Sequence, residues 1–183
     1  MTQSSEKRLP GDLSHDEHIG QMIRVNHAGE YGAKRIYAGQ LAVLRKSSCA
    51  PVLKHMAEQE QKHLDVFSDL IVGRRVRPTL LMPLWHVAGY ALGAATALLG
   101  EKAAMACTVA VESVIDEHYA QQEQQLGERD AELKSIVSQF RADEKEHHDT
   151  ALSHGAEDFR LYHILTTAIV YQTRLAIWLS KRV

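Results

Sequence analysis

Cysteine is scarce in this chain: 183 residues contain two, Cys49 and Cys107. Their spacing builds neither a zinc site nor a disulfide framework, so a reduced, intracellular compartment is the simpler expectation. Proline occurs four times and aromatics make up only 6%. No segment alternates apolar and polar residues like a strand, and no hairpin signal competes. Charge of one sign is missing too. The formal net charge of −2 offers no surface to a nucleic acid. The start of the chain has no apolar signal core and carries acids early, against a transit peptide.

What is plentiful favours helix. Alanine and leucine abound, and 45% hydrophobic with 24% charged residues is ordinary for a globular chain. The length suits one domain with a real core. Residues 1–13 are polar and read as a flexible tail, leaving 14–183 as the domain. Ser14 and Glu17 form a capping box that opens a first helix running to about Arg45. Its inward face carries Ile23, His27, Glu30, Tyr37, Leu41 and Leu44. Pro51 suits the start of a second helix, with Leu53, Met56, Glu60, His63, Phe67 and Leu70 on one face and a stop near Gly73. A fourth helix spans 101–126, with Met105, Glu112, Ile115 and Tyr119 on one stripe. A fifth spans 129–153, with Leu133, Ile136, Phe140, Glu144 and His147. The last, 157–181, shows an apolar stripe of Leu161, Ile164, Leu165, Ala168, Leu175, Trp178 and Leu179.

A duplication lies inside this pattern. Glu30 precedes Glu60 and His63; Glu112 precedes Glu144 and His147 at a matching distance. The related halves are 20–73 and 101–154. Residues three apart on a helix share a face, so each Glu-x-x-His can grip one ion. Glu30 and Glu112 serve from the other two helices. Four carboxylates and two imidazoles are the ligand set by which a four-helix bundle holds two metal ions. Four inward carboxylates without counter-charge would be very costly, and two divalent cations balance them. Carboxylate and imidazole without thiolate favour iron or manganese. His27 reads as a packed neighbour of the site. Tyr119 can line its pocket. His55, His148, Glu58, Glu117 and Glu146 fall off the inward stripes, and Cys107 packs as a small apolar residue.

Residues 80–100 carry no formal charge. A membrane-spanning helix here would put the two halves of the site ~30 Å apart, on opposite sides of a bilayer. The run is better read as the crossover of the bundle, since twenty helical residues rise ~30 Å. Its greasy composition also suits an interfacial segment. Leu80, Leu81, Met82, Leu84 and Trp85 would dip into lipid, and Arg74, Arg75 and Arg77 would meet anionic headgroups.

Three stretches resemble the demethoxyubiquinone hydroxylase family: Met22 to Gln40 around Glu30, Ala106 to Glu112 followed by His118-Tyr119, and Phe140 to Asp149 around Glu144 and His147. The resemblance implies an all-α, ferritin-like four-helix bundle with a long apolar crossover helix and an additional C-terminal helix. It implies two iron ions on Glu30, Glu60, His63, Glu112, Glu144 and His147, the six that spacing selects. It places Tyr119 and Arg174 near the pocket, and Trp178 stands where some members have tyrosine. The implied reaction is hydroxylation of the ring of demethoxyubiquinol, a polyprenyl quinol, by dioxygen. No Gly-rich dinucleotide motif appears, so the two electrons come from an external donor such as NADH. The setting expected is peripheral, on the cytoplasmic face of a bacterial inner membrane or on an organellar inner membrane, as a homodimer or with a lipid-binding partner protein. The alternatives are another carboxylate-bridged di-iron protein: a tRNA-modifying hydroxylase, which would want a basic face, or a ferritin-like ferroxidase, in which the apolar crossover would be out of place.

Overall fold

The computed structural model describes residues 12–183; most of the tail expected at 1–13 lies outside them. Among the described residues the regular structure is all helical: α1 (His15–Leu44), α2 (Ala50–Gly73), α3 (Met82–Leu98), α4 (Glu101–Leu126), α5 (Ala131–Ser153), a 3₁₀ turn (Ala156–Asp158) and α6 (Tyr162–Ser180). Local chemistry sets the boundaries. Ser14 accepts from the Glu17 amide while the Glu17 side chain accepts from the Ser14 amide, so the capping box forms as the sequence predicts. Pro51 sits in the first turn of α2, where no intrahelical donor is needed. Gly100, at φ +110°, turns the chain from α3 into α4, a conformation that disfavours any side chain. Asp130 caps α5 by accepting from the Leu133 amide.

Short loops fold α1 against α2 and α4 against α5. The two pairs face each other as a ferritin-like bundle. Cross-bundle pairings run in opposite order along the chain: Asn26 meets Gln122, and Gln40 meets the Ala104 carbonyl. Hence α1 and α4 are antiparallel. His63–Asp143 and Gln59–His147 show the same for α2 and α5. One apolar layer holds Ile23, Phe67, Tyr119, Leu133 and Phe140. Another holds Tyr37, Leu53, Met56, Met105 and Val109. The candidate ligands sit in the bundle with both layers.

The crossover packs along α1 in parallel, backbone to backbone. A Cβ at Gly93 would collide with the Ile36 carbonyl, one at Gly39 with the Tyr90 carbonyl, and one at Gly89 would lie 2.9 Å from the Gly32 carbonyl oxygen. Three glycines therefore let α3 approach closer than side chains permit. No helix among the described residues is long and apolar enough to cross a membrane.

Two apolar segments, α6 and the crossover, turn partly outward. Only Ile169 and Ser180 of α6 are buried, and the stripe of Leu161, Ile164, Leu175 and Trp178 points to the exterior. Helical periodicity locates an apolar face but not the side on which it is covered. In α4, by contrast, every residue from 103 to 112 is buried, because α3 and α6 cover the side opposite the bundle interior. Along the crossover, Leu80 and Leu84 are exposed, yet Trp85 turns inward and its indole Nε1 donates to Ser180 Oγ at 3.1 Å. Arg74 is engaged by Asp130 and Glu132, leaving Arg75 and Arg77 as the exposed cations of that segment.

Candidate metal centre

Helices α1 and α4 each contribute one glutamate, and α2 and α5 each contribute a Glu-x-x-His pair. All six side chains are buried: Glu30, Glu60, His63, Glu112, Glu144 and His147. Their donor atoms form two groups, each with all atoms within 4.8 Å of one another: Glu30, Glu60, His63 and Glu144, and Glu60, Glu112, Glu144 and His147. Glu60 and Glu144 belong to both.

Each histidine turns Nδ1 to the interior. His63 Nδ1 lies 3.1 Å from Glu144 Oε1 and 3.5 Å from Glu30 Oε2. His147 Nδ1 lies 3.2 Å from Glu144 Oε2 and 3.3 Å from Glu60 Oε1. The far ring nitrogens are also held, His63 Nε2 by Asp143 Oδ2 and His147 Nε2 by Gln59 Oε1, both at 3.0 Å. Two tyrosines cross the bundle to the remaining glutamates. Tyr37 on α1 donates to Glu112 Oε1 on α4 at 3.0 Å, and Tyr119 on α4 donates to Glu30 Oε1 on α1.

The electrostatics are those of a site short of positive charge. Burial, then the charges of Glu144 and Glu30, drives the Glu60 carboxyl well above the usual range. Burial, then Glu144 and Glu60, does the same to Glu112. Burial also works against Glu144, but hydrogen bonds from His147 and His63 outweigh it and hold that carboxyl at about 2. Burial lowers His63, yet Glu144 and Glu30 overcome it and push the imidazole up to about 11.

A pair of metal ions fits this donor set. Neither carboxylate oxygen of Glu60 has a hydrogen-bond partner, although both are buried. An uncompensated buried carboxylate is costly, and cations satisfy it without any donor from the protein. The ligands are oxygens and imidazole nitrogens, suited to iron or manganese.

Other residues fall elsewhere. Arg174 does not reach the cluster: it pairs with Glu117 at 2.8 Å on the surface, beside a cleft that His118 and Lys181 also line. Trp178 is half exposed and stacks on Arg182, with the guanidinium carbon 3.8 Å from the ring centre. His27 joins neither donor group. His55, Glu58, Glu117 and Glu146 are exposed, as their positions off the inward stripes predict. Cys49 and Cys107 are free and buried. Sequence reasoning missed the partner roles of Gln59, Asp143 and Tyr37. Their signal was present: each Glu-x-x-His is preceded by a side chain that accepts a hydrogen bond, and each lone glutamate is followed seven residues later by tyrosine.

An apolar cleft of about 100 Å³ adjoins the cluster. Its walls are Gly29, Gly32 and Ile36 of α1, Trp85 and Leu92 of α3, Val111 and Ile115 of α4, and Ala176 and Ile177 of α6. Val25, Gly29, Ala33, Ile115 and Ile177 also line the small space over Glu30, Glu60, Glu112 and Glu144, so the two spaces are neighbours.

Fold and donor set together define a ferritin-like bundle whose buried carboxylate–imidazole cluster is able to bind metal. Comparison with known proteins narrows this class. Residues 17–180 match the family described as ubiquinone biosynthesis protein COQ7, and the chain belongs to that family. It is 53% identical to the 3-demethoxyubiquinol 3-hydroxylase of Rhodospirillum rubrum, over 98% of this chain and 85% of that protein. It is 55% identical to the NADPH-dependent 3-demethoxyubiquinone 3-hydroxylase, mitochondrial, of Rattus norvegicus, over 90% of this chain and 77% of that one. With the 5-demethoxyubiquinone hydroxylase, mitochondrial, of Saccharomyces cerevisiae the identity is 44%, over 90% and 78%.

Proposed function

We propose that this chain hydroxylates the ring of a demethoxyubiquinol with dioxygen, at two iron ions held by Glu30, Glu60, His63, Glu112, Glu144 and His147. The carrying observation is the pair of interlocked donor groups sharing Glu60 and Glu144, beside an apolar cleft, in a chain 53% identical over nearly its whole length to a hydroxylase of that substrate. When bound, the two irons supply dioxygen binding and its two-electron activation. The net reaction inserts one oxygen atom into a ring C–H bond, and the other leaves as water with two protons and two electrons from an external donor. The rat relative is named for NADPH rather than NADH.

The chain's own residues do the positioning. Tyr119 and Tyr37 hold Glu30 and Glu112 by hydrogen bonds, and Asp143 and Gln59 fix the two imidazoles. The glycines of α1 leave room for a flat ring, because a Cβ at Gly29 or Gly32 would meet nothing within 4 Å. The aliphatic walls exclude water from the reacting centre. Arg174, paired with Glu117, and Lys181 line the separate surface cleft beside His118.

The polyprenyl tail leaves between α3 and α6, and both helices expose apolar side chains: Leu84 and Val87 on one, Ile164, Leu175 and Trp178 on the other. This supports a peripheral seat on a lipid surface, with Arg75 and Arg77 toward the headgroups. The site lies on an inner membrane, the cytoplasmic face in a bacterium. A single domain built from two related halves suffices for all of this.

The test is the conversion of a short-chain demethoxyubiquinol by iron-loaded protein and reductant under air. Formation of the hydroxylated quinol by the wild type and not by Glu60→Ala supports the assignment. Equal turnover by both refutes it.

A further inference from the structure

The two halves of the centre match closely in their ligands and their tyrosines, but not behind their histidines. Glu30 and Glu112 each receive one tyrosine hydroxyl from across the bundle. Glu60 and Glu144 belong to both donor groups. Each histidine presents Nδ1 inward and Nε2 outward, at comparable distances.

Behind the rings, equivalent positions carry different chemistry. The residue before Glu144 is Asp143, and it reaches across to His63 Nε2 at 3.0 Å. The residue before Glu60 is Gln59, and it reaches across to His147 Nε2, also at 3.0 Å. A carboxylate only accepts, so His63 Nε2 carries a hydrogen and Nδ1 is left as the ligand atom. Gln59 Oε1 orients His147 in the same way but brings no charge. Phe140 adds to the difference by stacking on His63, with ring centroids 3.9 Å apart, where the equivalent residue of the other half is Met56.

We infer that Asp143 and Gln59 make the two metal positions unequal, so that a divalent cation fills the position served by His63 before that served by His147. A carboxylate behind a metal-bound imidazole raises its donor strength, and losing such a partner weakens binding about 10–100-fold. Asp143 is about a third exposed, at 30%, which screens but does not cancel its charge. Asp143 and Gln59 are positioning residues: they act on the metal through the imidazoles. The inference rests on the dinuclear reading above.

The test uses manganese(II) as probe. Metal-free protein is crystallised with one equivalent of manganese per chain, and anomalous scattering locates the ion. The expected peak lies beside His63. The swapped variant, Gln59→Asp with Asp143→Asn, keeps two hydrogen-bonding partners and moves the charge, so the peak is expected beside His147. In solution, the free manganese(II) EPR signal should disappear in two steps, with only the first weakened, about 10–100-fold, in Asp143→Asn. Equal occupancy in the wild type, or a peak that the swap does not move, overturns the inference while leaving the dinuclear site standing. No manganese at either position overturns the inference and the metal reading together. The wild-type map decides the question even if a variant fails to fold.

Discussion

Asn26 and Gln122 hold each other through two hydrogen bonds, each amide nitrogen 2.8 Å from the other's oxygen. The pair links α1 to α4 one turn from Glu30 and one turn from Tyr119. It sets the spacing of the two helices where the lone glutamates project. Both side chains are buried, so removing Gln122 strips both polar atoms of Asn26 of this partner, while removing Asn26 takes the donor from Gln122 Oε1 and leaves Nε2 with His118 at 2.8 Å. Asn26→Ala or Gln122→Ala is expected to cost about 1–3 kcal/mol. The double variant Asn26→Leu/Gln122→Leu should cost less than the two single alanine changes combined. Thermal melts of metal-loaded protein check both; full additivity would show that the pair does not act as a unit.

The crossed tyrosines make a second prediction. Tyr37→Phe and Tyr119→Phe keep the rings but remove the hydroxyls that hold Glu112 and Glu30. Each should lower metal affinity or turnover about 10-fold or more, the scale for loss of a ligand's supporting hydrogen bond. The helical content should not change. Iron affinity and turnover unaltered in both would remove the tyrosines from the account.

Glycine separates packing from access. Gly93→Ala would drive a Cβ into the Ile36 carbonyl, so it is expected to cost about 1–3 kcal/mol or more and to loosen α3 from α1. Gly32→Leu projects into the apolar cleft, with open space around its Cβ. It should raise KM for the quinol or abolish turnover with little change in melting temperature. A Gly32→Leu protein with wild-type kinetics would move the substrate out of this cleft.

The metal-free protein should lose stability as pH rises above about 6.5. His63 is pushed up to about 11 in the fold, so the native state holds a proton there that the unfolded chain releases from its ordinary value upward. The stabilisation is full below the unfolded value and vanishes as pH climbs through the folded one. Glu60 and Glu112, both raised, act in the same direction from about 4.5 upward. Glu144, held at about 2, works the other way, but only below the ordinary carboxylate range. His118, lowered to about 4 by burial and then by Lys181, also opposes the trend, but only below about 6.5. Metal replaces these protons, so metal-loaded protein should show a flatter profile above pH 6.5, and loading should release protons. Parallel melting curves for the two forms across pH 6–9 would contradict this.

Much of this architecture is legible in the sequence. The Glu-x-x-His pairs name their helices and faces, because metal ligation demands a fixed spacing that packing alone does not. Helix ends were legible at Ser14, Gly73 and Gly127, where capping chemistry is local. Partner side chains were harder. Asp143 and Gln59 act across to the other helix, and their role depends on how α2 and α5 are set against each other. The placement of the α6 stripe stayed open for a related reason: Leu161, Ile164 and Leu175 share a face, but periodicity does not say whether protein covers it. Arg174 came from family likeness alone, and the fold pairs it with Glu117 at the surface.

The central claim is that six buried side chains hold two cations, and anaerobic iron titration of metal-free protein tests it most directly. The account predicts saturation at two irons per chain in the wild type, and a loss of stoichiometric binding in Glu60→Ala and Glu144→Ala, which each remove a carboxylate shared by both donor groups. No iron uptake by the folded wild type, or two irons retained in both variants, would contradict it.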